Sequence, residues 1–266
     1  MFLNLRKYLS LSKISLLLSM QYKINTFFLL SVVIVPPVAY FFLWNSIYYQ
    51  KEIIGNYKLS EIITYYIISY LFFETRPHAW WDIGYSIKDG RFSLYITKPM
   101  NYFLYHFFYS YSYTILWWIF AIWGGVFLFL IFKNYFIFPK GILPFFLSFF
   151  FSFLGSILGF IIEYIFNLFA FWIERPFGLL RFYDFLVYFL SGLIIPLDLL
   201  PFKNFFLFLP FKYLGFFPVS IFLGKVQNIN LFNEFLNLLF WIFFFFILSQ
   251  IILYFGRKTY SAPGSL

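Results

Sequence analysis

Long, nearly uninterrupted stretches of apolar residues constrain this chain more than any other feature. Several of them approach or exceed the roughly 18 apolar residues that mark a candidate membrane-spanning helix. Of the 266 residues, 63% are hydrophobic and only 11% are charged, whereas a soluble domain of this size keeps about 25% charged residues to cover its surface. Lipid must therefore surround most of the chain. The sequence predicts an all-α integral membrane protein, with a single transmembrane domain over residues 1–266.

Six stretches are predicted to span the bilayer as helices. The second has a short apolar run, because Glu61 and Glu74 flank the residues from Ile62 to Phe73. Cytoplasmic loops carry an excess of Lys and Arg. With six spans and both termini in the cytoplasm, most of the 19 Lys and Arg residues, and every Arg, fall on the cytoplasmic side, whereas omitting the second span would scatter the arginines. The predicted spans are residues 24–44, 57–74, 104–132, 142–170, 182–200 and 235–255.

Two further segments are predicted to lie at the membrane without crossing it. Residues 1–23 place Arg6, Lys7 and Lys13 among leucines at helical spacing, which is typical of an amphipathic helix in the membrane interface. Residues 196–230 are interrupted by prolines, and non-helical backbone at membrane depth is tolerated only where protein or water satisfies it. We therefore predict short re-entrant or surface helices on the outer face. The interrupting prolines are Pro196, Pro201, Pro210 and Pro218.

The fourth predicted span contains the sequence SFLGSILG, in which small residues recur every three or four positions. Such residues allow helix backbones to approach closely. Gly155 and Gly159 are therefore predicted to mark a helix-packing face. Packing within the chain and packing against a second subunit both explain the pattern.

Charges gather between the second and third predicted spans, over residues 75–100. Pro77 can open a short helix, on which Trp80, Ile83 and Ile87 would share one face. The pair Asp89-Gly90 suits a helix end, where glycine takes the left-handed conformation. We predict a charged, tryptophan-anchored element at the cytoplasmic surface, rigidly joined to two spans. The alternative is a solvated loop.

Several chemistries are excluded by the residues that the chain lacks. It has no Cys, hence no disulfide and no thiolate metal site. It also lacks the G-x-x-x-x-G-K-[ST] phosphate loop, so it cannot be its own ATPase. The formal charge of +9 fits anionic lipid headgroups better than nucleic acid, because the basic residues are scattered among apolar segments. Glu163 lies alone inside a predicted span, with Asn167 one turn later. It is either a proton or cation carrier or a structural hydrogen-bonding group.

The run DIGYSIKDGRFSLYITKPMNYF resembles the stretch between the second and third spans of ABC type-2 transporter permeases. Four later motifs recur in the same order in that family, and together the matches extend over about residues 80–260. Phe92 is a departure, since Leu is commoner at its position. The later motifs are FWIERPFGLL, SGLIIPLDLLP, LPFKYLGFFPVSIFLG and GRKTY.

The resemblance implies the membrane subunit of an exporter in the bacterial plasma membrane, with both termini cytoplasmic. Such a permease pairs with a second permease, either identical or homologous, and works with a dimeric ATPase subunit. ATP and Mg²⁺ bind to that ATPase, so this chain is expected to bind no cofactor or metal and to have no catalytic residue. The exported substrate stays open.

The resemblance also implies roles for particular positions. The element over residues 75–100 would dock into the ATPase, residues 196–230 would form an outward-facing gate, and Pro99 and the four prolines of that gate would act as hinges. The residues that fall in or beside the docking element are Trp80, Trp81, Asp82, Lys88, Asp89, Gly90 and Arg91.

Three other functions are weighed against this one. An ion-coupled secondary transporter would rest on Glu163 alone. A substrate-binding membrane subunit of a vitamin importer should lack both the charged loop and the proline-interrupted segment. A membrane-embedded lipid transferase should show clustered His and acidic residues at one membrane face, and this sequence does not.

Overall fold

A computed structural model describes residues 5–21, 28, 30–74, 76–77, 82–98, 100–226 and 230–260 of the chain. This described part is predominantly helical, with one short hairpin of β1 (Ile53–Ile54) and β2 (Tyr57–Lys58). Short 3₁₀ helices cover Tyr48–Gln50, Phe169–Phe171, Leu197–Leu199 and Pro210–Leu214. The α-helices are α1 (Leu5–Gln21), α2 (Leu30–Ile47), α3 (Leu59–Glu74), α4 (Asp82–Lys88), α5 (Phe92–Thr97), α6 (Tyr102–Phe132), α7 (Ile142–Leu168), α8 (Phe177–Leu190), α9 (Lys203–Phe208), α10 (Phe216–Phe222) and α11 (Leu231–Thr259).

Within these ranges, three helical stretches are long and apolar enough to cross a membrane: Tyr102–Phe132, Ile142–Phe171 and Leu231–Thr259. Large apolar side chains cover their free faces; Trp123 on α6 and Phe243 on α11, for example, are 67% and 65% exposed. Contiguous apolar surface of this kind is rare on soluble monomers, whereas lipid solvates it. The fold confirms the predicted all-α membrane protein.

Helix α3, in the second predicted span, is buried along almost its whole length. Every residue from Ile62 to Glu74 except Leu71 is buried, and α2, α6, α7 and α10 pack around it. The hydroxyls of Tyr65 and Tyr66 donate hydrogen bonds to the carbonyl oxygens of Gly192 (2.7 Å) and Ile194 (2.9 Å). Protein, rather than lipid, therefore surrounds this helix, which explains why its apolar run is short and rich in tyrosine.

Helix α8 ends at Leu190, well before the end of the fifth predicted span at residue 200. Gly192 takes the left-handed conformation (φ +85°) directly after the helix, a common way for helices to end. Pro196 then prevents the helix from resuming. The predicted span is longer than the helix because the residues after the turn, Leu193 to Ile195, are as apolar as those before it. Hydrophobicity alone therefore does not show where the helix ends.

Two hydrophobic cores organise the helices. The larger one surrounds α3 and includes residues of α7 and α10. The smaller one lies beneath the short helices α4 and α5, where Ile83, Ile87 and Phe92 pack against residues of α6, α7 and α11. The charged stretch between the second and third predicted spans therefore rests on a hydrophobic base.

Candidate functional site

The charged stretch folds as two short helices, α4 and α5, joined by a tight turn at Asp89–Arg91. Helix α4 ends at Lys88, and Gly90 takes the left-handed conformation with φ +85°. A side chain at this position would strain the backbone. We call α4, the turn and α5 together the paired helices.

Arg91 holds two carboxylates at the surface of the paired helices. Its Nε donates to Asp89 Oδ2 (2.6 Å), and its Nη1 donates to Asp82 Oδ1 (3.2 Å). The backbone N–H of Arg91 also donates to Asp89 Oδ1 (3.1 Å). The hydrogen bond with Asp89 raises the pKa of Arg91 above its ordinary value, so the guanidinium stays cationic. All three side chains remain about half exposed, between 45% and 47%, so this charged cluster is open to a partner.

The opposite face of the paired helices is buried and aromatic. Phe92 is fully buried, and its ring meets the rings of Tyr102 (5.0 Å between centroids), Phe171 (5.0 Å) and Tyr260 (4.9 Å) at steep angles. Edge-to-face pairs of this kind add about 0.5–1.5 kcal/mol each beyond the burial of area. The phenylalanine that departs from the commoner leucine thus joins α5 to α6, to the chain after α7, and to the end of α11.

Hydrogen bonds fix the paired helices to their neighbours. The backbone N–H of Gly84 donates to Asn167 Oδ1 on α7 (3.0 Å), and Asn167 Nδ2 donates in turn to the carbonyl oxygen of Glu163 (3.0 Å). The hydroxyl of Tyr260, directly after α11, donates to the carbonyl oxygen of Gly90 (3.3 Å). A displacement of the paired helices would therefore act directly on α7 and α11.

A buried charge lies close to this contact. Arg76 is 2% exposed, and its guanidinium carbon lies 3.8 Å from the ring centroid of Phe73. Arg76 interacts electrostatically with Glu163 and with Glu74. The sequence indicates that Glu163 is isolated, and the structure shows that it is not. Because the sequence predicts Arg76 in a loop, it gives no sign that the two residues interact. The attraction between these opposite charges favours a structural role for Glu163.

The segment that contains the four prolines reaches the middle of α7. We use "proline-rich segment" for its described part, residues 196–226. A Cβ added to Gly155 would overlap the backbone carbonyl of Tyr213, and one added to Gly159 would come within 3.2 Å of the Leu214 side chain. At 1.5 Å per residue, Gly155 lies about 20 Å from the beginning of α7 at Ile142. Both glycines thus face the proline-rich segment and allow it to approach α7 closely.

Ion pairs tie the proline-rich segment to two helices. Lys212 Nζ lies 2.8 Å from Glu234 Oε2 on α11, and the Tyr213 hydroxyl donates to the same oxygen (2.5 Å). Lys225 Nζ lies 3.0 Å from Glu61 Oε2 on α3. The prolines stand at the joints of the segment. Pro196 directly precedes a 3₁₀ helix, Pro201 follows it, Pro210 begins the next, and Pro218 lies in the first turn of α10.

The structure brings together only part of the predicted docking set. Asp82, Asp89, Gly90 and Arg91 form the charged cluster and its turn, and Lys88 is half-buried at the end of α4. The predicted residues Trp80, Trp81 and Pro99 lie outside the described residues. Sequence reasoning did not predict the contacts of Arg76, Asn167 and Tyr260, because their partners lie in distant parts of the chain. Among the described residues, no group of three or more His, Cys, Asp or Glu side chains can hold a metal ion.

Comparison with known proteins gives one match. A family model described as "ABC-2 family transporter protein" matches residues 34–264, which include the paired helices and the proline-rich segment. No curated protein and no solved structure matches the chain.

Proposed function

The chain belongs to the ABC-2 family of transporter membrane proteins, and on this premise we propose that it is the permease subunit of an ATP-driven exporter. It would pair with an identical or homologous permease and work with two copies of a separate ATPase. That ATPase would bind ATP and Mg²⁺, since the sequence of this chain has no phosphate loop. The complex would reside in a bacterial plasma membrane.

The observation that carries this proposal is the charged cluster of Asp82, Asp89 and Arg91 on a rigid, aromatic base. A plain surface loop needs no such base. An element that receives force from a partner needs both an accessible polar surface and a firm connection to the membrane helices. The paired helices combine the two.

A route for that force follows from the contacts of α7. The paired helices touch Asn167 through Gly84. Near the next turn of α7, Glu163 interacts with Arg76, whose Nη1 lies 3.8 Å from the position of an added Cβ on Gly159. Leu214 of the proline-rich segment packs on the same glycine. We infer that ATP-driven closure of the partner moves α7 and the proline-rich segment together, as in a rigid-body switch between two packings.

Six spans with both termini in the cytoplasm remain our proposal for the topology. Helices α2, α3 and α8 would complete the three longer ones. Helix α3, with 16 residues, is about 24 Å long at 1.5 Å per residue, less than the roughly 30 Å hydrocarbon core. Its burial among other helices supports this assignment, because protein surrounds it at membrane depth.

The proposal is tested by reversing the central charge of the cluster. The Arg91→Glu variant should insert and fold, but recovery of the ATPase with the purified permease should fall about tenfold or more, because losing a charge-assisted hydrogen bond costs about 1.5–3 kcal/mol. Lys51→Glu is the matched control, since Lys51 is exposed and is predicted to face the opposite side of the membrane. Equal ATPase recovery, with normal substrate-stimulated ATP turnover, in both variants would show that the charged cluster has no part in coupling.

A further inference from the structure

A cavity of about 460 Å³ lies between the N-terminal helix α1 and helix α6, next to the paired helices. Its volume falls within the range of roughly 300–1,000 Å³ that is usual for ligand pockets. Helix α1 is firmly attached on this side. The Tyr8 hydroxyl accepts a hydrogen bond from the backbone N–H of Asn101 (3.0 Å), and Ser15 Oγ donates to the carbonyl oxygen of Tyr109 (2.8 Å). The cavity is therefore part of the fold.

The walls of the cavity are amphipathic. On α1, Leu11, Ile14 and Leu18 form an apolar wall, and the opposite end is lined by Asp82 and Arg91. Ile14 is 54% exposed and Leu18 is 38% exposed, so the apolar wall continues onto the outer surface of the helix. Because α1 is predicted to lie in the membrane interface, this wall would continue into the acyl region of the bilayer.

His106 indicates a missing polar partner at this cavity. Its side chain lines the cavity and is only 2% exposed, and within the described ranges its Nε2 has no hydrogen-bond partner. Burying such a group unsatisfied costs about 1–3 kcal/mol, and buried polar groups are paired in the large majority of cases. Because the nitrogen itself is not accessible from the cavity, a ligand oxygen would reach it only with a small shift of the ring.

The polar end of the cavity presents charges of both signs. Asp82 and Arg91 lie 3.2 Å apart, each about half exposed. A purely anionic group would gain from Arg91 and lose from Asp82, whereas a zwitterion can face both. Tyr95 and Tyr105 also line the cavity, and a cation of the protein already lies near both rings, since Lys98 Nζ is 5.2 Å and 5.7 Å from their centroids. Faces of aromatic rings attract cations in this way.

We propose that this cavity binds one zwitterionic, ammonium-bearing phospholipid of the inner leaflet. Its phosphate would lie beside Arg91 and His106, its ammonium would lie beside Asp82, and an acyl chain would run along Ile14 and Leu18. The lipid would touch both α1 and the paired helices, so it would form part of the coupling surface. This site needs no assumption about the exported substrate.

The test is lipid binding to the purified full-length permease in detergent. Phosphatidylethanolamine or phosphatidylglycerol is added in mixed micelles, bound lipid is counted by mass spectrometry, and the unfolding temperature is measured. Ile14→Trp would fill the cavity, and Leu17→Trp is the matched control, because Leu17 is also 54% exposed on the same helix and is not among the cavity-lining residues. We expect about tenfold less phosphatidylethanolamine on Ile14→Trp and unchanged binding to Leu17→Trp, with weaker binding of phosphatidylglycerol throughout.

His106→Phe separates a ligand role from a structural one. An apolar ring of similar shape removes the unsatisfied nitrogen, so the lipid-free unfolding temperature should stay equal or rise. Lipid retention should nevertheless fall about tenfold, as expected for the loss of one charge-assisted hydrogen bond. Equal retention by Ile14→Trp and Leu17→Trp, or equal stabilisation by the two lipids, would overturn the proposal. If the His106→Phe variant does not fold, the difference in lipid retention between Ile14→Trp and Leu17→Trp still tests the proposal.

Discussion

The contact between α7 and the proline-rich segment gives a sharp prediction about three glycines. A methyl group on Gly155 would overlap the carbonyl oxygen of Tyr213, and its carbonyl carbon would lie 2.9 Å away. These are backbone atoms, which cannot rotate aside. For Gly159 the nearest atom is Leu214 Cδ2 at 3.2 Å, the end of a flexible side chain, and for Gly178 nothing lies within 4 Å. The same Gly→Ala change thus meets backbone, side chain and open space.

The expected costs follow this order. Overpacking typically costs about 1–3 kcal/mol, and we expect Gly155→Ala to lie at or above the upper end because the backbone must shift. Gly159→Ala should cost less than about 1 kcal/mol, since helix propensity favours Ala by a similar amount. Gly178→Ala should be neutral or slightly stabilising. At about 2–4 °C per kcal/mol, Gly155→Ala should lower the unfolding midpoint by roughly 6 °C or more.

The assay is thermal unfolding of the three purified variants in one detergent, at one heating rate, because membrane proteins often unfold irreversibly. A drop confined to Gly155→Ala supports close packing of the proline-rich segment within the chain. Equal midpoints for Gly155→Ala and Gly178→Ala would refute the contact. Normal stability with loss of permease pairing would instead assign Gly155 to a subunit interface.

Three further predictions concern topology, the electrostatic interaction of Arg76 with Glu163, and the turn. Because the chain has no Cys, an impermeant thiol reagent should label Lys51→Cys but not Lys88→Cys in intact cells; the reverse labelling would contradict the six-span topology. Glu163→Gln should leave the charge of Arg76 partly uncompensated and destabilise the fold by up to about 3–5 kcal/mol. In a double-mutant cycle of unfolding midpoints, adding Arg76→Gln should restore part of that loss. Additive losses in the two single variants would argue against an interaction between these residues. Gly90→Val should cost about 1–3 kcal/mol of backbone strain and reduce substrate-stimulated ATP turnover with all charges retained, whereas normal turnover would show that the turn tolerates a side chain.

Local features of the structure were accessible from the sequence because their causes are local. The end of α4 at Asp89-Gly90 follows from the freedom of glycine to take a positive φ, and Ile83 and Ile87 share a buried face because they are four residues apart. Helix α8 shows the limit of such reasoning. Its apolar composition continues past residue 190, and only the left-handed Gly192 and the packing around it end the helix.

Long-range contacts were not accessible in the same way. Glu163 and Arg76 are far apart in sequence, and nothing local predicts that a loop arginine turns inward and interacts electrostatically with a carboxylate on α7. Tyr260 reaches Gly90 from the other end of the chain. For Gly155 and Gly159, the small-residue pattern predicted close packing but could not identify the partner, because it specifies only which helix face is narrow.

The ion pair between Lys212 and Glu234 has a consequence for how the protein is made. Lys212 is 8% exposed, and an ammonium buried without a counter-ion is costly. Its partner Glu234 lies on α11, which the ribosome synthesises later, while α3 and α7 are already in place. We expect the proline-rich segment to stay at the membrane surface during translation and to settle against α7 only once α11 has inserted. Variants that weaken this step should be degraded by membrane proteases soon after synthesis, before any effect on transport can be seen.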